Sequence, residues 1–408
     1  MSTESVLPDE PQSLSGETIS RWLTLLMASA CGLVAANLYY NQPLVGPIAH
    51  SLGLSPSVAG FIVTMAQIGY GVGLLLIVPL ADLVENRRLI LSVLSIAILA
   101  LAAASVTHDA FLFLVSTLFI GIGSVVVQIL VPFASHLAPE EAQGRVVGNV
   151  MSGLMFGIML ARPVASFITD ATDSWRMVFV FSTVVMVVLA LVLARALPRR
   201  QPAAVLGYGA LLASMGTLVR DHPMLRRRSL YHACLFAAFS LFWTVTPLLL
   251  AGPDYGFTQS GIALFALAGV AGVVAAPIAG RIADRGHIVP ASVFAMCAVA
   301  AAFLITHLAV PGTTLGIALL VAAAVVLDFG VTMNLVVGQR TIYALSSEGR
   351  SRINGIYMAT FFTGGAIGSA LGAWAYAHGG WTLASAIGMG MPGLALVYLS
   401  TEIFLRRK

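Results

Sequence analysis

Apolar residues run along this chain in blocks of 19 to 29, separated by short polar breaks, without the every-second-residue alternation of a membrane β-strand. About 20 apolar residues carry a helix across the hydrocarbon core, where a helix satisfies its own backbone. The pattern predicts twelve spans, over residues 22–50, 57–80, 88–106, 110–137, 146–169, 176–196, 229–251, 259–280, 288–309, 313–338, 353–377 and 381–404. The expected fold class is an all-α membrane protein, with twelve transmembrane helices in two pseudo-symmetric six-helix bundles.

A basic stretch at the middle of the chain separates the sixth block from the seventh. From Arg195 to Arg228 it holds seven of the 21 basic residues: Arg195, Arg199, Arg200, Arg220, Arg226, Arg227 and Arg228. It reads as a cytoplasmic linker, 198–228, between an N-terminal bundle, 21–197, and a C-terminal bundle, 229–405. Within it, Leu206 to Val219 is apolar enough, through Leu211, Leu212, Met215 and Leu218, to form a short helix on the membrane surface. A solvated linker is the alternative. Residues 1–20 have neither the basic start nor the apolar core of a cleaved signal peptide and are expected to be a disordered cytoplasmic tail.

Composition agrees with a membrane chain: 59% apolar, 9% charged, mean hydropathy +0.94, against about 25% charged in soluble proteins. The pI of 9.1 is no argument for nucleic acid, because basic residues here report topology first. With the N-terminus inside, 19 of the 21 basic residues fall on the cytoplasmic side and only Arg162 and Arg176 do not. That asymmetry puts both termini on the cytoplasmic side, and the expected location is the inner membrane of a bacterial cell. Cys31, Cys234 and Cys297 lie in apolar blocks without metal-ligand spacing and read as packing residues. Neither a Gly-Lys-Ser/Thr phosphate loop nor a catalytic constellation occurs, so an ATP-driven pump is excluded for this chain alone, and no enzyme activity, cofactor or metal is expected. The expected partners are a small-molecule substrate, protons and the lipid bilayer, with the chain a monomer.

The halves also repeat. Arg145, Asp82 and Trp175 are matched by Arg352, Asp284 and Trp381 at offsets of 207, 202 and 206. Within each half the spans sort with a period of three. Spans 1, 4, 7 and 10 carry amide, aromatic or ionisable groups, which are costly in lipid, and are expected to line a cavity. Spans 2, 5, 8 and 11 are rich in glycine (Gly69, Gly71, Gly73; Gly153, Gly157; Gly269, Gly272; Gly364, Gly368, Gly372), which suits surfaces that slide closely past one another. Spans 3, 6, 9 and 12 are expected to face lipid.

Twelve spans in two halves, each built from three-helix units around a basic central loop, resemble the major facilitator superfamily over the whole length. Pro79-Leu80-Ala81-Asp82 followed by Arg87-Arg88, and the second copy Gly280-Arg281-Ile282-Ala283-Asp284-Arg285-Gly286, resemble that family's loop between its second and third spans. Tyr39-Tyr40-Asn41-Gln42-Pro43 and Leu327-Asp328-Phe329-Gly330 give the chain most likeness to the drug and metabolite exporters. Thr117 stands where proton antiporters of that branch carry an arginine, and Arg162-Pro163 where they carry Gly-Pro.

Asp328 is the one carboxylate at mid-membrane depth, roughly 20 Å from either surface. Desolvation favours its neutral form and a nearby cation its charged form, so its protonation can follow which side the cavity faces; that is what proton coupling requires. A fixed partner for a helix of the other half is the structural alternative. Arg162, about 25 Å up span 5, cannot discharge and needs an anion, carbonyls or water. Either it pairs with Asp328 in one conformational state or it contacts an anionic group of the substrate. Candidate substrate-binding residues are Tyr39, Tyr40, Asn41, Gln42, Gln67, Gln128, Trp243 and Asn334, each of which also suits packing or helix-tying roles. Asp82, Arg87, Arg88, Asp284 and Arg285 are expected as a cytoplasmic gate that latches the halves through ion pairs.

The resemblance implies secondary transport by alternating access, with proton-coupled export of a small organic molecule as the first expectation. Uptake or exchange of a polar metabolite such as a sugar or amino acid is the alternative. A non-transporting sensor or scaffold is the reading from another class.

Overall fold

The computed structural model describes residues 20–202, 207–271, 278–282, 285–345 and 350–406. Most of the expected tail, Leu206, Gly272 and Asp284 lie outside them. The described residues are helical with no strand; eleven of the expected spans are present close to their expected bounds, and span 8 is described over Gln259–Ala271 and again over 278–282. Spans 11 and 12, within Arg350–Arg406, are two helices that meet without a loop at Gly379 and Gly380, both non-helical, the latter with a φ of 58°. Side chains close the helix starts: Ser20 accepts from Leu23 N, Asp109 Oδ1 from Leu112 N, and Thr313 Oγ1 from Gly316 N.

Spans 1, 4 and 8 are interrupted. Span 1 is Arg21–Ala36, a tight turn over residues 37–40, then Asn41–Ser51. In that turn Leu38 N and Tyr39 N bond three residues back, to Ala35 O and Ala36 O. Span 4 breaks between Ala110–Ser124 and Val126–His136; span 8 runs Gln259–Ala266 and tightens into a 3-10 turn over Leu267–Ala271. Hydropathy alone had each as one straight helix. Spans 3, 6, 9 and 12 turn large apolar side chains outward, among them Leu99, Val184, Phe294 and Leu394, as expected of lipid-facing helices.

The glycines work differently from the expectation. A Cβ on Gly32 would lie 2.5 Å from Gly153 O, one on Gly121 2.0 Å from Ala66 O, and one on Gly368 2.0 Å from Ala237 O. These contacts join spans 1 and 5, 2 and 4, and 7 and 11, each pair within one half, so they weld bundles more than they lubricate the seam. Exceptions at the seam include Gly60 against Ser369, Gly365 against Gln67, Gly269 against Arg162 and Gly46 against Leu248.

The basic linker folds into a helix, Tyr208–Asp221, whose Leu211 and Met215 are buried. It lies across the ends of both halves: Tyr208 donates to Leu76 O of span 2, and Arg352 at the start of span 11 donates to Ser214 Oγ. The end of the molecule that carries this helix is the basic end below, and the opposite one is the far end.

Candidate functional site

The two charges deep in the spans meet at the seam. Arg162 on span 5 and Asp328 on span 10 are both buried, and the indole of Trp243 on span 7 joins them. Its ring lies 4.2 Å from Arg162 Cζ, and its Nε1 donates to Asp328 Oδ1 at 2.9 Å. Arginine and carboxylate make no direct ion pair; the indole presents its negative face to one and its N–H to the other. Room for this comes from Gly269 in the tightened part of span 8. A Cβ there would stand 2.9 Å from Asp328 Oδ2 and 3.3 Å from Arg162 Nη1.

Two more rings surround the guanidinium, Tyr39 from the turn in span 1 and Phe239 from span 7, each 5.3 Å from Arg162 Cζ. Arg162 Nε donates to Gln42 Oε1 at 2.7 Å. Tyr39 lies in the turn of span 1 and Gln42 at the start of the helix that follows it, and both close on the same guanidinium.

Beneath Tyr39 lies a cavity of about 750 Å³ between the halves. Tyr39, Tyr70 and Gln128 line it from one half and Phe361, Phe362 and Gln339 from the other, and its wall continues to His136, Tyr343 and Asn354 at the basic ends of spans 4, 10 and 11. The Gln128 amide donates to Tyr70 Oη at 3.1 Å. Toward the far end the seam is shut. Thr64 Oγ1 of span 2 lies 2.7 Å from Ser369 Oγ and 3.1 Å from Ala366 O of span 11, and Ser260 donates to Asp170 Oδ2 between spans 8 and 5.

The expected site residues divide three ways. Asp328, Arg162, Trp243, Gln42 and Tyr39 converge on one centre, and Gln128 faces the cavity. Others tie helices: Asn41 donates to Ile62 O, Gln67 to Ser240 Oγ across the seam, and Asn334 bonds His232 Nδ1 inside the C-terminal half. Tyr40 is buried and no hydrogen bond is described for its side chain. Among the described residues the expected gate makes no ion pair between the halves, and Asp284 lies outside them. Arg87 donates to Ala194 O and Leu197 O at the end of span 6, and Arg88 pairs with Glu85 on its own helix. Asp82 forms no ion pair among the described residues, and Arg285 is exposed. The expected latch belongs to the state in which this end is shut, whereas the cavity here runs out to it.

Sequence reasoning passed over Phe239, Tyr70, Phe361, Phe362 and the Thr64–Ser369 contact. Phe239 was signalled by lying four residues before Trp243, on the same face. Thr64 was signalled by Gly60, Thr64, Gln67 and Gly71, which form one small or polar stripe at helical spacing.

Residues 27–321 match the family model of the Major Facilitator Superfamily. The uncharacterized transporter YgaY of Escherichia coli O157:H7 is 39% identical over 363 residues, 89% of this chain and 91% of that protein. The probable transporter SCO4007 of Streptomyces coelicolor is 36% identical over 362 residues, 87% of this chain and 82% of that protein. Among solved structures, the nucleoside transporter NupG superposes with a TM-score of 0.72 at 15% identity, over 94% of this chain and 99% of its own. The human organic anion transporter MFSD10 (TETRAN) superposes with a TM-score of 0.62 at 18% identity, over 93% and 100%. At these identities the structural likeness is one of fold. Family match, close relatives and twelve-span architecture agree: this chain is a multi-pass membrane protein that belongs to the major facilitator superfamily.

Proposed function

We propose that the chain is a secondary transporter that moves a small organic solute by alternating access, coupled to protons through Asp328, with its basic end in the cytoplasm of a bacterial plasma membrane. One observation supports this most: a single cavity shared by both halves, open toward the basic end, closed toward the far end, with the chain's mid-membrane carboxylate and guanidinium where the closure begins. Reversing which end is shut delivers the same cavity to the other side. A carboxylate at that point can load a proton on one side and lose it on the other.

The relation of proton to solute follows from solute charge. A cation competes with the proton for Asp328 and leaves by exchange, as the likeness to exporters suggests. An anion is drawn to Arg162 and favours a proton bound at the same time; the open donor edge of Arg162 supports this second reading. The test is proteoliposomes with an imposed pH gradient and a panel of anionic, neutral, zwitterionic and cationic solutes. Solute flux that follows the gradient, with Asp328→Asn retaining solute exchange but losing the response to the gradient, is the expected result. Equal gradient-driven flux in both proteins refutes the coupling role.

A further inference from the structure

We propose that Arg162 and Gln42 form the receptor for the carboxylate of an organic acid, and that the acid crosses together with one proton held by Asp328. This rests on the transport reading above and gives it a substrate class.

The inference starts from two donors without acceptors. Arginine can only donate, so the Gln42 oxygen must face Arg162 Nε, and its amide nitrogen is turned away by necessity and not by choice of assignment. Among the described residues, Gln42 Nε2 and Arg162 Nη2 are both buried and have no hydrogen-bond partner. Buried polar groups are rarely left so, and here both are donors on side chains already joined to each other. What completes them is an acceptor with two oxygens. A carboxylate supplies that with a single negative charge, matching a single guanidinium. A phosphate dianion would need a second cation, and among the described residues the centre has none.

Charge counting then fixes the proton. The empty centre holds one guanidinium and one carboxylate. A second carboxylate beside an ionised Asp328 would leave a net negative charge in a buried seam, whereas a proton on Asp328 returns the sum to zero. The proton has a place: Trp243 Nε1 occupies Oδ1, and Oδ2 faces Gly269. Among the described residues, the charged or titratable side chains that face Asp328 are Arg162 from span 5 and Tyr39 from span 1. Acid and proton thus bind together and travel the same way, with no covalent bond to the acid made or broken. Tyr39, whose ring lies over Arg162 and also lines the cavity, is where an entering acid meets the centre. Tyr70, Phe361, Phe362, Met155 and Met358 along the same cavity suit an aromatic or aliphatic body.

The test is binding to the purified full chain of benzoate, 3-phenylpropionate and hexanoate, each beside its neutral amide, by calorimetry in buffers of different ionisation heat, which counts protons. Acids are expected to bind at least about tenfold more tightly than amides and to take up about one proton each. Arg162→Gln should weaken acid binding at least about tenfold, and Gln42→Leu, which leaves the charge in place, about threefold or more. Asp328→Asn should bind acid without proton uptake. Acids and amides binding alike, no binding by any of the three acids, binding by Arg162→Gln or Gln42→Leu equal to the parent, or no proton uptake by the parent would each overturn the proposal. Gradient-driven flux of other solutes without acid binding would sink this inference alone; acid binding without flux would sink the transport reading and the crossing with it, leaving only the receptor.

Discussion

Replacing Thr64 with valine should move the balance between the two end-closed states by a calculable amount. The hydroxyl lies 2.7 Å from Ser369 Oγ across the seam and 3.0 Å from Gly60 O on its own helix; Ser369 likewise lies 3.1 Å from Ala366 O on its own helix. When the far end opens, each hydroxyl can therefore fall back on its own backbone. Valine keeps the branched shape and leaves Ser369 with Ala366 O, so no buried group is orphaned. What is lost is the net value of one buried hydrogen bond, about 0.5–1.5 kcal/mol, and only in the far-end-closed state. At RT of about 0.59 kcal/mol this multiplies the far-end-open population by about 2 to 13. Spin labels on Ser55→Cys and Ala377→Cys, exposed positions at the far ends of spans 2 and 11, report the two populations by double electron–electron resonance once the three native cysteines are replaced. An unchanged ratio of long to short distances in Thr64→Val, or a shift toward the short one, refutes the assignment of this contact as a seal.

Gly368→Ala should lower thermal stability by about 1–3 kcal/mol, because its methyl would lie 2.0 Å from Ala237 O and spans 7 and 11 must part; Gly390→Ala, with nothing within 4 Å, should leave the melting curve in place. Glu402→Gln should cost about 3–5 kcal/mol by breaking the buried Arg228–Glu402 contact at 3.2 Å, and the double change Arg228→Met with Glu402→Met less than the single, as a double-mutant cycle by chemical unfolding will read. Gly269→Ala should fold normally yet transport slowly, since its methyl meets the mobile tips of Asp328, Trp243 and Arg162 and not backbone; wild-type flux in proteoliposomes would contradict that.

The twelve spans were legible because lipid imposes one rule on every helix, and length with apolarity states it outright. Asp328, Arg162 and Trp243 could be picked from the sequence because a polar group at that depth needs a reason. That an indole would join the two charges was not legible, since a carboxylate and an arginine on spans 10 and 5 give no hint of what the seam places between them. The turn at residues 37–40 was hidden because apolar sequence resumes past it and carries span 1 on to Ser51, although Asn37, Asn41 and Pro43 were local signs of a break. The glycines misled for a related reason. Spacing by four reports close approach of two helices, but says nothing about whether the partner belongs to the same half.

The balance of one guanidinium and one carboxylate at the seam bears on what can drive the carrier. Moving a lone charge through the bilayer field exchanges about 2.3 kcal/mol for every 100 mV of membrane potential. Arg162 keeps its charge in every state, so an ionised Asp328 makes the empty centre electroneutral, and an acid anion with a proton on Asp328 makes the loaded one electroneutral as well. If an acid and a proton cross together as proposed, neither reorientation is pushed or held by voltage, and the cycle is expected to run at the same rate whether the membrane potential is high or collapsed.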